Sequence, residues 1–177
     1  MSDWNTWGTV SYRVPLVCGS NSVMLKYDSG DSGNINIDAL TLVPKSASWL
    51  QAENAVLSGG VQINCNHSGY VGTGFTDSWS TAGAKASFTA NCEATGYYDL
   101  IVRYANGEAS GRTLNLYVNR KFVQTLHFPV VSSADWNAWR EISFSKILKL
   151  YKGINSIVLA YDNGNNGKLN IDSIAFQ

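Results

Sequence analysis

The chain carries one stretch of sequence twice. Asp3-Trp4-Asn5-Thr6-Trp7 returns as Asp135-Trp136-Asn137-Ala138-Trp139, and Cys18-Gly19-Ser20-Asn21-Ser22-Val23 returns as Lys152-Gly153-Ile154-Asn155-Ser156-Ile157. Tyr27-Asp28-Ser29-Gly30 through Asn36-Ile37-Asp38 then matches Tyr161-Asp162-Asn163-Gly164 through Asn170-Ile171-Asp172. The offset is 132 at the first block and 134 at the last, so a two-residue length change falls between them, near Pro15. A repeat of this kind constrains the fold strongly, because both copies must be versions of one supersecondary unit. The second copy ends at Gln177, opposite Val43. Residues 1–43 therefore read as the last third of a module, 44–48 as a short polar linker holding Pro44, and 49–177 as a complete module.

Alternation and β-branched runs dominate from residue 50 onward. They predict strands over 50–56, 60–63, 85–90, 97–104, 113–119, 122–128, 139–144, 154–161 and 169–176. Asn119-Arg120 predicts a tight hairpin turn, since Asn tolerates positive φ. Lys146 to Lys152 fits one helical turn, yet Leu148 and Leu150 alternate just as well. No segment has a capped 3.6-residue apolar period. Short strands at regular spacing predict an all-β, antiparallel β-sandwich.

Charge excludes several functions. Thirteen basic and thirteen acidic residues cancel and only 15% of the chain is charged, which argues against a nucleic-acid or anionic-membrane partner. No apolar stretch approaches the 18 residues of a membrane-spanning helix. Catalysis needs a nucleophile with a base, paired carboxylates or an open metal site. His67 and His127 lie far apart, and Glu53, Glu93, Glu108 and Glu141 form no visible pair, so no enzymatic activity is expected.

Metal binding has more support. Gln51 and Glu53 stand at i and i+2, one face of a strand, and Asp172 lies on the final predicted strand. Pairing of the first and last strands of the module brings these oxygens together, and carboxylate with amide oxygen suits Ca²⁺ rather than zinc. The aromatics point elsewhere. Tyr70, Trp79, Trp136 and Trp139 fall in or beside loops rich in Gly, Asn and Ser, where an indole or phenol face can stack on a sugar ring. Asn106, Asn163, Asn165 and Asn166 are placed to bond the hydroxyl rim. Trp139 opens an apolar strand and is expected in the core; Trp136 is expected to be exposed.

In order and spacing these segments resemble carbohydrate-binding modules of family 35, in the clan that also holds family 6. The carrying residues are Gln51-Ala52-Glu53-Asn54-Ala55, Ser58-Gly59-Gly60, Ser68-Gly69-Tyr70-Val71-Gly72 and Val102-Arg103-Tyr104-Ala105-Asn106-Gly107. The Trp136/Trp139 segment, Lys152 to Ile157 and Leu169-Asn170-Ile171-Asp172 complete the set. The resemblance implies a jelly roll with a structural calcium held by Gln51, Glu53 and Asp172, with Ser68 or His67 as a further ligand. It implies a sugar site in loops at one end of the sandwich, built from Tyr70, Trp79, Asn106, Trp136 and Asn163, with Asn165 or Asn166 adjacent. Its ligand is a polysaccharide or oligosaccharide. Few basic residues lie in those loops, Lys168 being the nearest, so a neutral glycan (α-glucan, mannan or galactan) is expected ahead of a uronic acid. The function expected is to hold a parent glycan-active enzyme near its substrate; the alternative is a structural protein with an idle sugar site.

Cys65 and Cys92 belong to the complete module and can bridge in an oxidising compartment, while Cys18 is left over. Met1-Ser2-Asp3 leads straight into repeat sequence with no apolar leader, so an extracellular location is expected from the family alone. Asp38 is the counterpart of Asp172, but no Gln-x-Glu precedes it. Residues 1–43 are thus able to compete for the sheet of a second copy, displacing 135–177 and making a homodimer. Exchange of this kind predicts a dimeric mass by light scattering; a monomeric mass removes it.

Overall fold

The structure, a computed structural model, describes residues 5–10, 22–41 and 48–177. The chain divides into two compact units, Met1–Leu42 and Val43–Gln177. Among the described residues the second unit contains eleven strands: β1 (Ser48–Gln51), β2 (Val56–Ser58), β3 (Gln62–Asn64), β4 (Phe75–Asp77), β5 (Ala84–Cys92), β6 (Gly96–Ala105), β7 (Arg112–Val118), β8 (Lys121–Phe128), β9 (Arg140–Leu150), β10 (Gly153–Tyr161) and β11 (Asn170–Phe176). They form two antiparallel sheets, β3-β4-β11-β6-β9 with β1 also on β11, and β2-β5-β10-β7-β8. The fold is an all-β, antiparallel sandwich of jelly-roll type.

Period-two patterning decides which side chains lie between the sheets. Ala84, Ala86, Phe88, Ala90 and Cys92 of β5 alternate with exposed or half-buried neighbours. Leu100, Val102 and Tyr104 of β6 meet Leu114 and Leu116 of β7 and Ile157 and Leu159 of β10 in one core cluster. Each fully buried large aliphatic contributes about 1.5–3 kcal/mol over its exposed state. β7 and β8 join through Asn119 and Arg120 at φ 49° and 69°, both positive as a type I′ hairpin turn requires.

Three expectations need correction. The strand over 50–56 is broken, because Ala52–Asn54 form a 3₁₀ turn that drops Ala52 into the core. β4 is only three residues long and escaped the periodic reading, since three residues cannot display an alternation. β9 runs on to Leu150 rather than stopping at 144, and Leu148 and Leu150 are fully buried. The pairing of β6 with β9 slips between Tyr98 and Leu100. There Lys146 has φ 50° and donates its backbone N–H to Asp99 Oδ1 at 2.7 Å. This irregularity disguised the strand as a helical turn. Cys65 is exposed beyond β3 and Cys92 is buried in β5 of the other sheet, so no disulfide joins them.

The last strand is the structural axis. All seven residues of β11 are buried. One edge pairs with β6 from Asn170 to Phe176. The other is shared: β4 pairs at Ile171, and β1 pairs from Ser173 onward. Between these partners the register against β6 skips Asp172, a bulge that re-aims one side chain.

The first unit is different. Its described residues, 5–10 and 22–41, contain no strand. A turn joins Asp28 and Asp31, whose backbone N–H donates to the Asp28 carbonyl at 2.9 Å. Val23, Leu25, Ile35, Ile37 and Leu40 are all exposed, although their repeat counterparts Ile157, Leu159, Leu169, Ile171 and Ile174 are core. The rest of the first repeat copy lies outside the described residues.

The extension of β9 into the core is testable. Leu148→Ala should cost about 2–5 kcal/mol, read as a lowered urea midpoint at unchanged m-value; an effect below 1 kcal/mol would place Leu148 outside the core.

Candidate functional site

Two sites emerge, one at the hand-over on β11 and one among the loops. At the hand-over, Gln51 ends β1, Glu53 sits on the 3₁₀ turn and residues 71–73 lead into β4. The Val71 N–H donates to Asp172 Oδ1 at 3.0 Å. The Thr73 N–H and hydroxyl donate to Glu53 Oε1 at 2.8 and 3.2 Å. Arg103 on β6 places Nε 2.8 Å from Asp172 Oδ2. A methyl group at Gly72 would collide with Glu53 Oε1 and lie 3.2 Å from Gln51 Oε1, so glycine is what lets the loop close over these oxygens. Gln51 and Glu53 thus converge on Gly72 through the 3₁₀ turn, not by strand alternation.

Gln51 Oε1 and Glu53 Oε2 are buried without a protein partner, each an acceptor that costs about 1–3 kcal/mol if left unsatisfied. Asp172 is fully buried. Burial pushes its carboxyl above the ordinary range; the Val71 N–H and the Arg103 guanidinium pull the other way, and nearby Glu53 adds to the rise. Among the described residues no three His, Cys, Asp or Glu side chains converge. The donor set is therefore carboxylate and amide oxygen, chemistry that fits a hard cation. Ser68 is not drawn in. Its N–H and hydroxyl donate to Asn137 Oδ1 at 2.7 and 3.2 Å, and its carbonyl accepts the Trp139 indole N–H at 2.8 Å.

Those same bonds strap the 65–70 loop to the 132–139 loop. The Ala134 N–H donates to the Gly107 carbonyl at 2.7 Å, and a Cβ at Gly107 would fall 2.8 Å from the Trp136 ring. Trp136 is half-buried and stacks with His67, centroids 6.3 Å apart at 26°. Trp139 is also half-buried rather than core; its edge meets Phe75 at 5.3 Å. Tyr70 leans on Phe75 at 5.6 Å. Beside the stacked pair opens a cleft of about 220 Å³ whose lining includes His67, Trp136, Asp77, Glu108, Lys168 and Asn170.

Of the residues expected to touch sugar, Trp79 and Trp136 are the two that line this cleft. Trp79 lies at the cleft's inner wall, fully buried and part of the core cluster, whereas Trp136 is half-buried and more open. Asn106 is also fully buried. Its amide donates to the Ser110 and Phe128 carbonyls at 3.1 Å each, and its Oδ1 accepts the Glu108 N–H at 3.1 Å. It is a loop fastener. Asn165 accepts the Asp162 N–H at 2.9 Å and reaches Asn115 Oδ1 at 3.2 Å, while Asn166 accepts the Thr113 N–H at 2.7 Å. Both tie the 162–169 loop to β7. Asn163 is exposed in that loop, and neither it nor Tyr70 lines the cleft. Asp77, Glu108 and Asn170 were missed as lining residues because each belongs to a different element and no spacing links them.

A family model for carbohydrate binding module (family 35) matches residues 48–177. The chain belongs to this family, and the module is a carbohydrate-binding one. It is 37% identical to a 1,6-alpha-glucosyltransferase of Sporosarcina globispora over 178 residues, 98% of this chain and 14% of that protein. Among solved structures, it resembles a cycloisomaltooligosaccharide glucanotransferase of Paenibacillus sp. complexed with cycloisomaltoheptaose, at 36% identity and TM-score 0.64, covering 72% of this chain and 18% of that one. A family 35 carbohydrate binding module from Clostridium thermocellum aligns at TM-score 0.67 and 26% identity, covering 75% of this chain and 98% of that one. The chain thus spans about a seventh of the length of the glucosyltransferase it matches.

Asp162 anchors the cleft's outer loop. Burial works to raise its carboxyl, but hydrogen bonds from the Tyr117 hydroxyl and the Asn115 amide, with the Lys85 charge, hold it below the ordinary range. Its contribution to stability is present above the ordinary carboxylate range and is lost as pH falls through the depressed value. Tyr117→Phe removes one donor, so the Asp162 titration followed by carboxyl ¹³C NMR should move up toward the ordinary range, and the stability lost in acid should become smaller and be exhausted at a higher pH. An unmoved titration would mean the phenol does not hold the loop.

Proposed function

We propose that this module is a calcium-containing, non-catalytic carbohydrate-binding module that recognises a neutral glycan and keeps a parent glycan-active enzyme near its substrate outside the cell. The observation that carries the reading is the cleft beside the His67–Trp136 stack. An aromatic face with Asn170, Glu108 and Asp77 around it offers stacking together with acceptors for hydroxyls. Glu108 is already paired with Arg112, which leaves Lys168 as the cation of the lining. One flexible cation beside Asp77 does not make a strong carboxylate receptor, which supports a neutral glycan over a uronic acid. The names of the relatives, a 1,6-alpha-glucosyltransferase and a cycloisomaltooligosaccharide glucanotransferase, favour an α-glucan ahead of mannan or galactan.

Calcium would be held by Gln51, Glu53 and Asp172. The partnerless Gln51 Oε1 and Glu53 Oε2 support this assignment, as does the approach of Gln51 Oε1 and Glu53 Oε1 to Gly72. The ion would supply positive charge that satisfies them and ties β1 to β11, while the chain's own Val71 and Thr73 bonds hold the loop. Residues 1–43 we assign to a stretch corresponding to the C-terminal third of a module of the same family, supported by the matched sequence blocks and by the apolar set that mirrors β10 and β11. Such a set favours pairing with further sheet strands, a second copy of the chain included.

The test is affinity electrophoresis against dextran, mannan and galactan, with Ca²⁺ and with chelator, beside melting curves. Trp136→Ala should weaken retention on the preferred glycan at least tenfold without changing Tm. Chelation should lower Tm by about 5–10 °C if calcium is bound at a hundredfold above its Kd. Retention of the wild type on no glycan would overturn the sugar reading, and an unchanged Tm would overturn the calcium site.

A further inference from the structure

Three Asn-Gly pairs occur in the chain, at 106–107, 163–164 and 166–167. The pairing matters chemically. A glycine N–H has no side chain crowding it and can reach the preceding side-chain amide to close a five-membered ring. Two of the pairs are locked. Asn106 is fully buried, its amide donates to the Ser110 and Phe128 carbonyls at 3.1 Å each, and the Trp136 ring packs on Gly107. Asn166 donates to the Gly111 carbonyl at 3.1 Å and accepts the Thr113 N–H at 2.7 Å, while Gly167 is buried against the Trp79 carbonyl. Asn163 and Gly164 differ. Both are exposed, and nothing beyond the chain neighbours lies within 4 Å of where a Gly164 Cβ would stand. Among the described residues neither the Asn163 side-chain amide nor the Gly164 N–H has a hydrogen-bond partner.

We propose that Asn163 is a spontaneous modification site whose conversion to isoaspartate releases the loop beside the cleft. The Gly164 nitrogen loses its proton and bonds to Asn163 Cγ. The Cγ–Nδ2 bond breaks, and the amide nitrogen takes up a proton and leaves as ammonia, giving a succinimide. Water then opens the ring. Attack at Cγ yields aspartate; attack at the main-chain carbonyl carbon yields isoaspartate, whose backbone runs through Cβ and Cγ. No electrons are exchanged, and water is the only co-reactant.

The effect on the loop follows from its turn. Asn163 and Gly164 are the two central residues, with Gly164 at φ 96°. The Asn165 N–H donates to the Asp162 carbonyl at 3.1 Å, and the Asp162 N–H donates to Asn165 Oδ1 at 2.9 Å. These paired bonds fix the separation of 162 and 165. Isoaspartate inserts one backbone atom between them, so both bonds cannot persist. Asn165 also reaches Asn115 Oδ1 at 3.2 Å, and the chain that follows carries Lys168 and Asn170 to the cleft. Release of the turn therefore weakens glycan retention, a consequence that rests on the reading of the cleft as the glycan site.

The full chain is aged warm at mildly alkaline pH, beside the same chain in urea. Each Asn-Gly pair is followed by peptide mass spectrometry with isoaspartyl methyltransferase labelling. In the folded chain Asn163 should convert nearly as fast as in urea, while Asn106 and Asn166, which need local opening, should be slowed at least about tenfold. In the aged protein the Asn165 N–H should lose hydrogen-exchange protection. Retention on the glycan that holds the fresh protein should fall in proportion to isoaspartate content. Asn163→Gln should resist both changes, and Asn163→Asp, which adds the charge without the extra backbone atom, should keep full retention. Conversion of Asn106 or Asn166 ahead of Asn163, or an Asn163 slowed as much as they are, overturns the site. Isoaspartate that leaves Asn165 exchange unchanged overturns the release of the loop, and lost protection with full retention overturns its effect on the cleft. If the fresh protein is held by no glycan, the cleft reading falls, while mass and exchange still decide the modification.

Discussion

The carboxylate of Asp172 is the interaction on which the module depends. It sits fully buried at the bulge where β11 passes from one edge partner to another. There it accepts the Val71 N–H and pairs with Arg103. Removing one partner of a buried pair leaves an uncompensated charge, typically at a cost of about 3–5 kcal/mol. Through Val71 this carboxylate fixes the loop that carries His67 and Tyr70, and through Arg103 it reaches the Gly69 carbonyl. The strand junction and the loop end of the sandwich are therefore one mechanical unit.

The loop end is built without strands, and its backbone groups need other partners. Asparagine meets that need because one side chain both donates and accepts. Asn106, Asn137, Asn165 and Asn166 each bridge a loop to a neighbouring element. The abundance of Asn between strands thus reflects construction of the site more than contact with ligand. What faces the cleft is drawn from elements far apart in sequence: His67 before β4, Asp77 at its end, Glu108 before β7 and Trp136 before β9.

Much of the strand pattern was legible because burial on one face leaves period-two alternation in β5, β6 and β7. The boundary failures have local causes. A 3₁₀ turn interrupts the first expected strand, and a positive φ at Lys146 interrupts β9. Side-chain exposure was less legible. Trp79 and Trp136 both follow a Ser- and Asp-containing segment and both line the cleft, yet one is fully buried and the other half-buried. Nothing local in the sequence separates them.

The sequence by itself determined the all-β class and the family, because both are written in residue type and order. Tertiary structure alone decided the rest. It withdrew Trp79 and Asn106 from the surface, attached Ser68 to Asn137 and Trp139, and paired Asp172 with Arg103. These are contacts between strands distant in the chain, and their geometry follows from sheet order and from a single skipped residue in β11, neither of which leaves a periodic trace in the sequence.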